Sequence, residues 1–99
     1  IAAARRELLE ETGYGSRDFR IIGECYPQPA ILSNKCYFCL AMDAEFQQAQ
    51  ALDDGEDLEV VKIPMDDIPI KIQSNSIDNG MSLLAFYYFF MQRKKEEDT

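Results

Sequence analysis

Apolar and polar positions change their period several times along this chain, and each change marks an element. Ile1, Ala4 and Leu8 fall at helical steps, so residues 1–12 are predicted to form an amphipathic helix with these three on its core-facing strip. Gly13 suits the left-handed residue that ends such a helix. Residues 14–18 read as a loop. Phe19, Ile21 and Gly23 then alternate, predicting a strand over 19–26. Pro27 and Pro29 forbid continued ladder pairing, because each fixes φ and lacks an N–H, and 30–34 reads as a loop or irregular strand. Residues 35–43 are almost continuously apolar, as in a strand covered on both faces.

The second half is more broken. Residues 45–52 are polar and rich in Ala and Gln, and they lead into the acidic loop Asp53-Asp54-Gly55-Glu56-Asp57. Leu58 and Val60 open a further predicted strand over 58–65. Asp66 or Asp67 can cap a short turn whose length Pro69 limits, and 70–76 reads as a connector. Asp78 is placed to cap a final helix over 79–95, with Lys94 and Lys95 at its negative dipole end. The run from Met81 to Met91 is apolar nearly all round. It is expected to be buried on several sides, covering the sheet and turning aromatics toward a partner subunit.

The first helix carries its chemistry on a second face. Glu7, Glu10 and Glu11 stand at i, i+3 and i+4, within a strip about 100° wide. Like charges at that spacing repel by a few tenths of a kcal/mol per pair, roughly 0.2–0.5. A hard divalent cation reverses the sign of that cost, since it takes its ligands from carboxylate oxygens. A solvated Glu-rich face, steadied by Arg6 pairing with Glu10 at i+4, accounts for the same spacing, and helical periodicity alone leaves both readings open.

Composition narrows the rest. Ninety-nine residues, 46% of them hydrophobic, suit one globular domain or most of one. The net charge of -8, from 18 acids against 10 bases, opposes binding to a nucleic-acid backbone, whose affinity comes from Lys and Arg. With no histidine, neither a Ser-His-Asp nor a Cys-His hydrolase can be built from these residues, nor a zinc site that uses imidazole. Cys36 and Cys39 have the spacing of a redox or zinc half-site. On a strand, however, residues an odd number apart face opposite sides, so the three cysteines read as small buried hydrophobes in a reducing compartment. The longest apolar run, 83–91, is far below the roughly 18 residues of a membrane span. No membrane partner and a cytoplasmic location are the expectation.

The string Arg6-Glu7-Leu8-Leu9-Glu10-Glu11-Thr12-Gly13-Tyr14 resembles the signature of the Nudix hydrolases, G-x5-E-x7-R-E-U-x-E-E-x-G-U, where U is a bulky apolar residue. Arg6 and Glu7 match R-E, Leu8 matches U, Glu10 and Glu11 match E-E, and Gly13 matches G. Tyr14 stands at the final U as an aromatic. The signature's earlier glutamate and first glycine would lie upstream of Ile1, so the chain is expected to be a piece of a longer protein. The resemblance implies an α/β class: an α/β/α sandwich around a mixed sheet, with its opening strands missing and residues 1–99 forming the C-terminal portion of one domain.

It also implies Mg²⁺-dependent (or Mn²⁺-dependent) hydrolysis of a pyrophosphate in a small nucleoside diphosphate derivative. Glu7 and Glu11 would be the principal metal ligands. Glu10 would complete the cluster or hold a further ion through water, and Arg6 would orient the carboxylates. In the ADP-ribose branch of the family the acidic loop supplies a further ligand and a general base, here Glu56 and Asp54. Arg6, Glu10 and Asp54 thus count as the catalytic residues. Pro29, about 15 residues beyond the motif, resembles the proline of ADP-ribose pyrophosphatases, which implies ADP-ribose as substrate, AMP and ribose 5-phosphate as products, and a homodimer. The alternative is a truncated Nudix-fold domain that binds a nucleotide or a protein without hydrolysis.

Overall fold

The first helix, α1, runs Ala2–Thr12 and stops where the sequence places its glycine: Gly13 takes φ 79 and its amide donates to Leu9 O. A computed structural model describes residues 1–26 and 35–97. The proline segment with Pro29, and the expected loop at 30–34, lie outside the described residues. The chain forms two compact units, 1–60 and 61–99.

In the first unit, α1 is followed at once by β1 (Tyr14–Gly15), which pairs antiparallel with β4 (Glu45–Phe46). The expected loop at 14–18 is therefore partly strand. Across this pair the Tyr14 and Phe46 rings meet edge to face, 5.8 Å apart at 74°. The longer hairpin joins β2 (Asp18–Cys25) to β3 (Cys36–Met42), from Asp18 opposite Met42 to Cys25 opposite Cys36. A bulge interrupts the ladder between Ile21 and Gly23. The extra residue, Ile22, moves Gly23 off the face of Phe19 and Ile21 and so ends the predicted alternation; Phe19 is half-buried, Ile21 is 51% exposed, and Ile22 and Gly23 are half-buried.

Phe38 of β3 is buried, whereas its neighbours Tyr37 and Cys39 are exposed. The expected cover on both faces of this strand is absent among the described residues. A phenol and a thiol make the run read as apolar while tolerating water on the outer face. Both described pairings are antiparallel, so the α/β class is realised as two small antiparallel sheets beside helices.

Residues 58–65 do not form the predicted strand. Leu58, Val60 and Val61 are exposed, and Pro64 lacks a ladder donor, so a short alternation finds no partner among the described residues. The second unit starts instead with a 3-10 turn at Met65–Asp67 running into α2 (Ile68–Gln73). Pro69 does not limit this helix. It sits in the first turn, where its missing N–H leaves no bond unmade. Ile68 is the buried apolar residue here.

The last helix, α3, spans Gly80–Glu97, with Lys94 and Lys95 in its final turn as expected. Its cap is Asn79 and not Asp78: Asn79 Oδ1 accepts from the Met81 and Ser82 amides at 3.0 and 3.1 Å. No residue of α3 is buried, and Tyr87 is 58% exposed, which corrects the expected burial on several sides. No helix among the described residues is long and apolar enough to cross a membrane.

Gly13 is tightly constrained. A Cβ there would stand 2.0 Å from the Gln48 carbonyl oxygen, on a left-handed backbone. A Gly13→Ala chain is expected to lose at least about 2 kcal/mol in urea unfolding, from left-handed strain and overpacking together. Gly80→Ala has open space and should gain about 0.4–1 kcal/mol in the same measurement.

Candidate functional site

The carboxylates of α1 sit on a helix whose last turn is closed by a strap from later in the chain. A helix leaves its final carbonyls without internal partners. Here Thr12 Oγ1 donates to Leu8 O at 2.6 Å, and the Gly13 amide donates to Leu9 O at 2.9 Å. Glu10 O accepts from the Ala51 amide at 2.7 Å, and Glu11 O from Gln50 Nε2 at 2.7 Å. Gly13 O accepts from the Gln47 and Gln48 amides at 2.8 and 3.3 Å. Residues 47–51 therefore run along the end of the motif helix and hold it. Only glycine at position 13 lets the strap come that close.

The strap also positions the acidic loop. Gln50 Nε2 donates to Leu58 O at 3.0 Å as well as to Glu11 O, so one amide group ties the helix end to the far side of the loop. Within the loop, the Glu56 amide donates to Asp53 O at 3.0 Å, and Gly55 has φ 86. A left-handed residue at the third position of a four-residue turn is what a type II turn demands. Glu56 Oε1 in turn accepts from the Asp53 amide at 2.8 Å. Glu56 thus closes its own turn with one carboxylate oxygen, while Asp54 is exposed at the turn's second position.

Glu7 and Glu10 are exposed and Glu11 is half-buried; none makes a side-chain hydrogen bond or ion pair among the described residues. Arg6 is exposed as well, and its anticipated pairing with Glu10 is not among the ion pairs formed by the described residues. The first turn of α1 has no acid and its last turn no base, so Glu10 and Glu11 stand at the negative end of the helix dipole uncompensated. This donor set suits a hard cation in kind, being all carboxylate oxygen. In number it is short: among the described residues no three acidic or sulfur side chains converge on one ion. The structure brings Glu10 and Glu11 next to the strap that leads into the loop of Asp54 and Glu56, through bonds to their carbonyls, and among the described residues does not gather the four glutamates into a cluster.

Beside this region lies an open cleft of about 470 Å³ between the ends of both sheets, lined by Ser16, Arg17, Asp18, Asp43, Glu45 and Gln47 among others. None of the predicted site residues borders it. Its carboxylates include Asp18, held below the usual carboxylate range chiefly by a bidentate hydrogen bond from Arg20, at 3.1 and 2.8 Å. Gln50 was not legible as a site residue. One amide in an Ala/Gln run carries no periodic signal, and only the fold shows which two carbonyls it bridges.

A family profile described as NUDIX domain matches residues 1–83. Among curated proteins, a GDP-mannose pyrophosphatase of Citrobacter koseri is 31% identical over 85 residues, covering 84% of this chain and 44% of its own length. One from an Enterobacter species is 30% identical over 82 residues, covering 81% and 43%. One from Escherichia coli is 31% identical over 82 residues, again covering 81% and 43%. The chain spans less than half the length of the curated relatives it matches.

The strap predicts a measurable coupling between helix and loop. Replacing Gln50 with Ala removes both bonds of its amide, and the chain should lose about 1 kcal/mol of stability. Amide exchange at residues 53–57 should accelerate more than exchange in β2 and β3. Equal acceleration in both places would mean that Gln50 does not tether the loop.

Proposed function

The chain belongs to the NUDIX family, and on that premise we propose that its protein hydrolyses the pyrophosphate bond of a nucleoside diphosphate sugar with a divalent cation, Mg²⁺ or Mn²⁺. The observation that carries the reading is the state of α1. Three unpaired carboxylates share one face, two of them at the negative end of a helix dipole, and a bound cation would turn that repulsion into attraction.

In this reading Glu7 and Glu11, one helical turn apart, are the main ligands, and Glu10 completes the set. The cation supplies neutralisation and orientation of the phosphates, which carboxylates alone would repel. Arg6 orients the glutamates through charge-assisted hydrogen bonds. Asp54 takes a proton from the attacking water, from an exposed position in a turn that Glu56 closes. The second oxygen of Glu56 stays available for a metal. The water attacks one phosphorus, and a nucleoside monophosphate and a sugar phosphate leave.

Two substrates fit this reaction. The relatives' names favour GDP-mannose, which would yield GMP and mannose 1-phosphate. Pro29 favours ADP-ribose, to AMP and ribose 5-phosphate, on sequence resemblance alone. A homodimer and a cytoplasmic location belong to the same proposal. The exposed apolar residues Met81, Tyr87 and Met91 of α3 support self-association. Binding without hydrolysis is the second reading, favoured by the absence of three converging ligands among the described residues.

The test is turnover of GDP-mannose and ADP-ribose by the full-length protein with and without Mg²⁺, beside a Glu11→Gln variant. Chelation should abolish turnover, and Glu11→Gln should reduce it by on the order of 10²-fold, the scale of losing one preorganised electrostatic contact. Undiminished turnover in the variant would remove Glu11 from the metal site. Nucleotide binding with no turnover of either substrate would select the second reading. Light scattering at tens of micromolar should report a dimer, and a clean monomer would count against that part.

A further inference from the structure

The cysteine pair that the sequence suggests, Cys36 and Cys39, is split by the strand: Cys36 is half-buried, and Cys39 is exposed on the other face. The pair that the fold assembles is a different one. Cys25 ends β2 and Cys36 begins β3, and the two stand directly opposite each other as the last rung of the ladder. Opposed residues of an antiparallel pair share a face, with Cα atoms about 4.5–5.5 Å apart. That range lies within the roughly 4.4–6.8 Å between Cα atoms that a disulfide requires.

The bulge creates this juxtaposition. Before it, Ile21 faces Cys39; after it, Gly23 faces Phe38, Glu24 faces Tyr37 and Cys25 faces Cys36. Without the extra residue at Ile22, continued one-to-one pairing would set Glu24 opposite Cys36 and Cys25 opposite Lys35. Cys36 shares its face with buried Phe38, so the two half-buried sulfur positions lie on the covered side of the hairpin. Past the rung, Lys35 joins the strand ends. Its Nζ lies 3.5 Å from Glu24 Oε1 and 5.6 Å from the centre of the Tyr26 ring.

We infer that Cys25 and Cys36 form a reversible dithiol–disulfide pair, oxidised by a low-molecular-weight disulfide such as oxidised glutathione, with Cys39 outside the bond. The thiolate of one cysteine attacks a sulfur of the small disulfide, and one small thiolate leaves. The second cysteine's thiolate then attacks the protein sulfur of that mixed disulfide, and the other small thiolate leaves. The protein gives up two electrons and two protons, the small disulfide becomes two thiols, and one Cys25–Cys36 bond is formed. Cys39 is exposed and can take up glutathione, but it has no thiol opposite it to complete an internal bond, because Ile21 occupies that rung.

The experiment oxidises the folded chain with glutathione disulfide, blocks the remaining thiols by alkylation and digests with trypsin. Cleavage after Arg20, Lys35 and Lys62 puts Cys25 in peptide 21–35 and both other cysteines in peptide 36–62. The expected result is those two peptides linked within one chain, with Cys39 either a thiol or carrying glutathione and not part of the link. The link should persist in Cys39→Ser. In Cys36→Ser it should be lost, with glutathione retained on Cys25. Wild-type chain unfolded in urea before oxidation should lose the preference and give links through Cys39 too. In the folded wild type, a link through Cys39, links only between chains, or glutathione on both Cys25 and Cys36 with no internal bond would overturn the assignment.

Discussion

The closure of α1 across Gly13 is the constraint on which the rest of the first unit depends. Carbonyls from Leu8 to Glu11, and that of Gly13 itself, find donors at Thr12, Gly13, Ala51, Gln50 and the 47–48 amides. Three of those five donor sets come from a strap more than thirty residues away in sequence. A Cβ at position 13 would collide with that strap, so the glycine secures both the helix end and the approach of the segment that satisfies it. The short β1–β4 pairing is a by-product of the same closure. Once Gly13 turns the chain and the strap is bonded to it, Tyr14 and Gly15 lie beside Phe46 and Glu45.

That closure holds in place an arrangement which electrostatics alone disfavours. Glu10 and Glu11 crowd the negative end of the dipole with Glu7 one turn behind, and no base occupies the last turn of α1. The repulsion is a few tenths of a kcal/mol per pair, roughly 0.2–0.5, which a strap of several hydrogen bonds at about 1 kcal/mol each outweighs. A helix can therefore keep its carboxylates together in the absence of a cation. The order of magnitudes explains why stability and the proposed chemistry do not have to share residues: main-chain atoms of Glu10 and Glu11 hold the fold, while their side chains remain unengaged.

What could be read from the sequence was what depends on near neighbours. The extent of α1, the glycine that ends it, the β2 and β3 segments and the basic end of α3 all follow from period, caps and turn residues within a few positions. What failed depends on partners far along the chain. The alternation at Leu58 and Val60 promises a strand only if another strand is there to receive it. Asn79 and Asp78 are both good caps, and the choice between them rests on which residue the backbone leaves just before the first turn. Gln50 carries no local signature at all. Its importance comes from lying within reach of Glu11 O and Leu58 O at once.

The cysteines show the same division within a single motif. A C-x-x-C spacing is a local pattern, and a local property, the two-residue period of a strand, sets its two members on opposite faces. The Cys25–Cys36 rung depends on hairpin register, and that register depends on one bulged residue at Ile22. A slip of one residue in an antiparallel pair exchanges every partner and every face beyond it. The bulge thus has two consequences that cannot be separated. It sets Gly23 on the face opposite Ile21, ending the alternation that predicted the strand, and it carries Cys25 one rung along to meet Cys36. An irregularity that looks like a defect in the hydrophobic pattern is therefore also what sets the two thiols against each other.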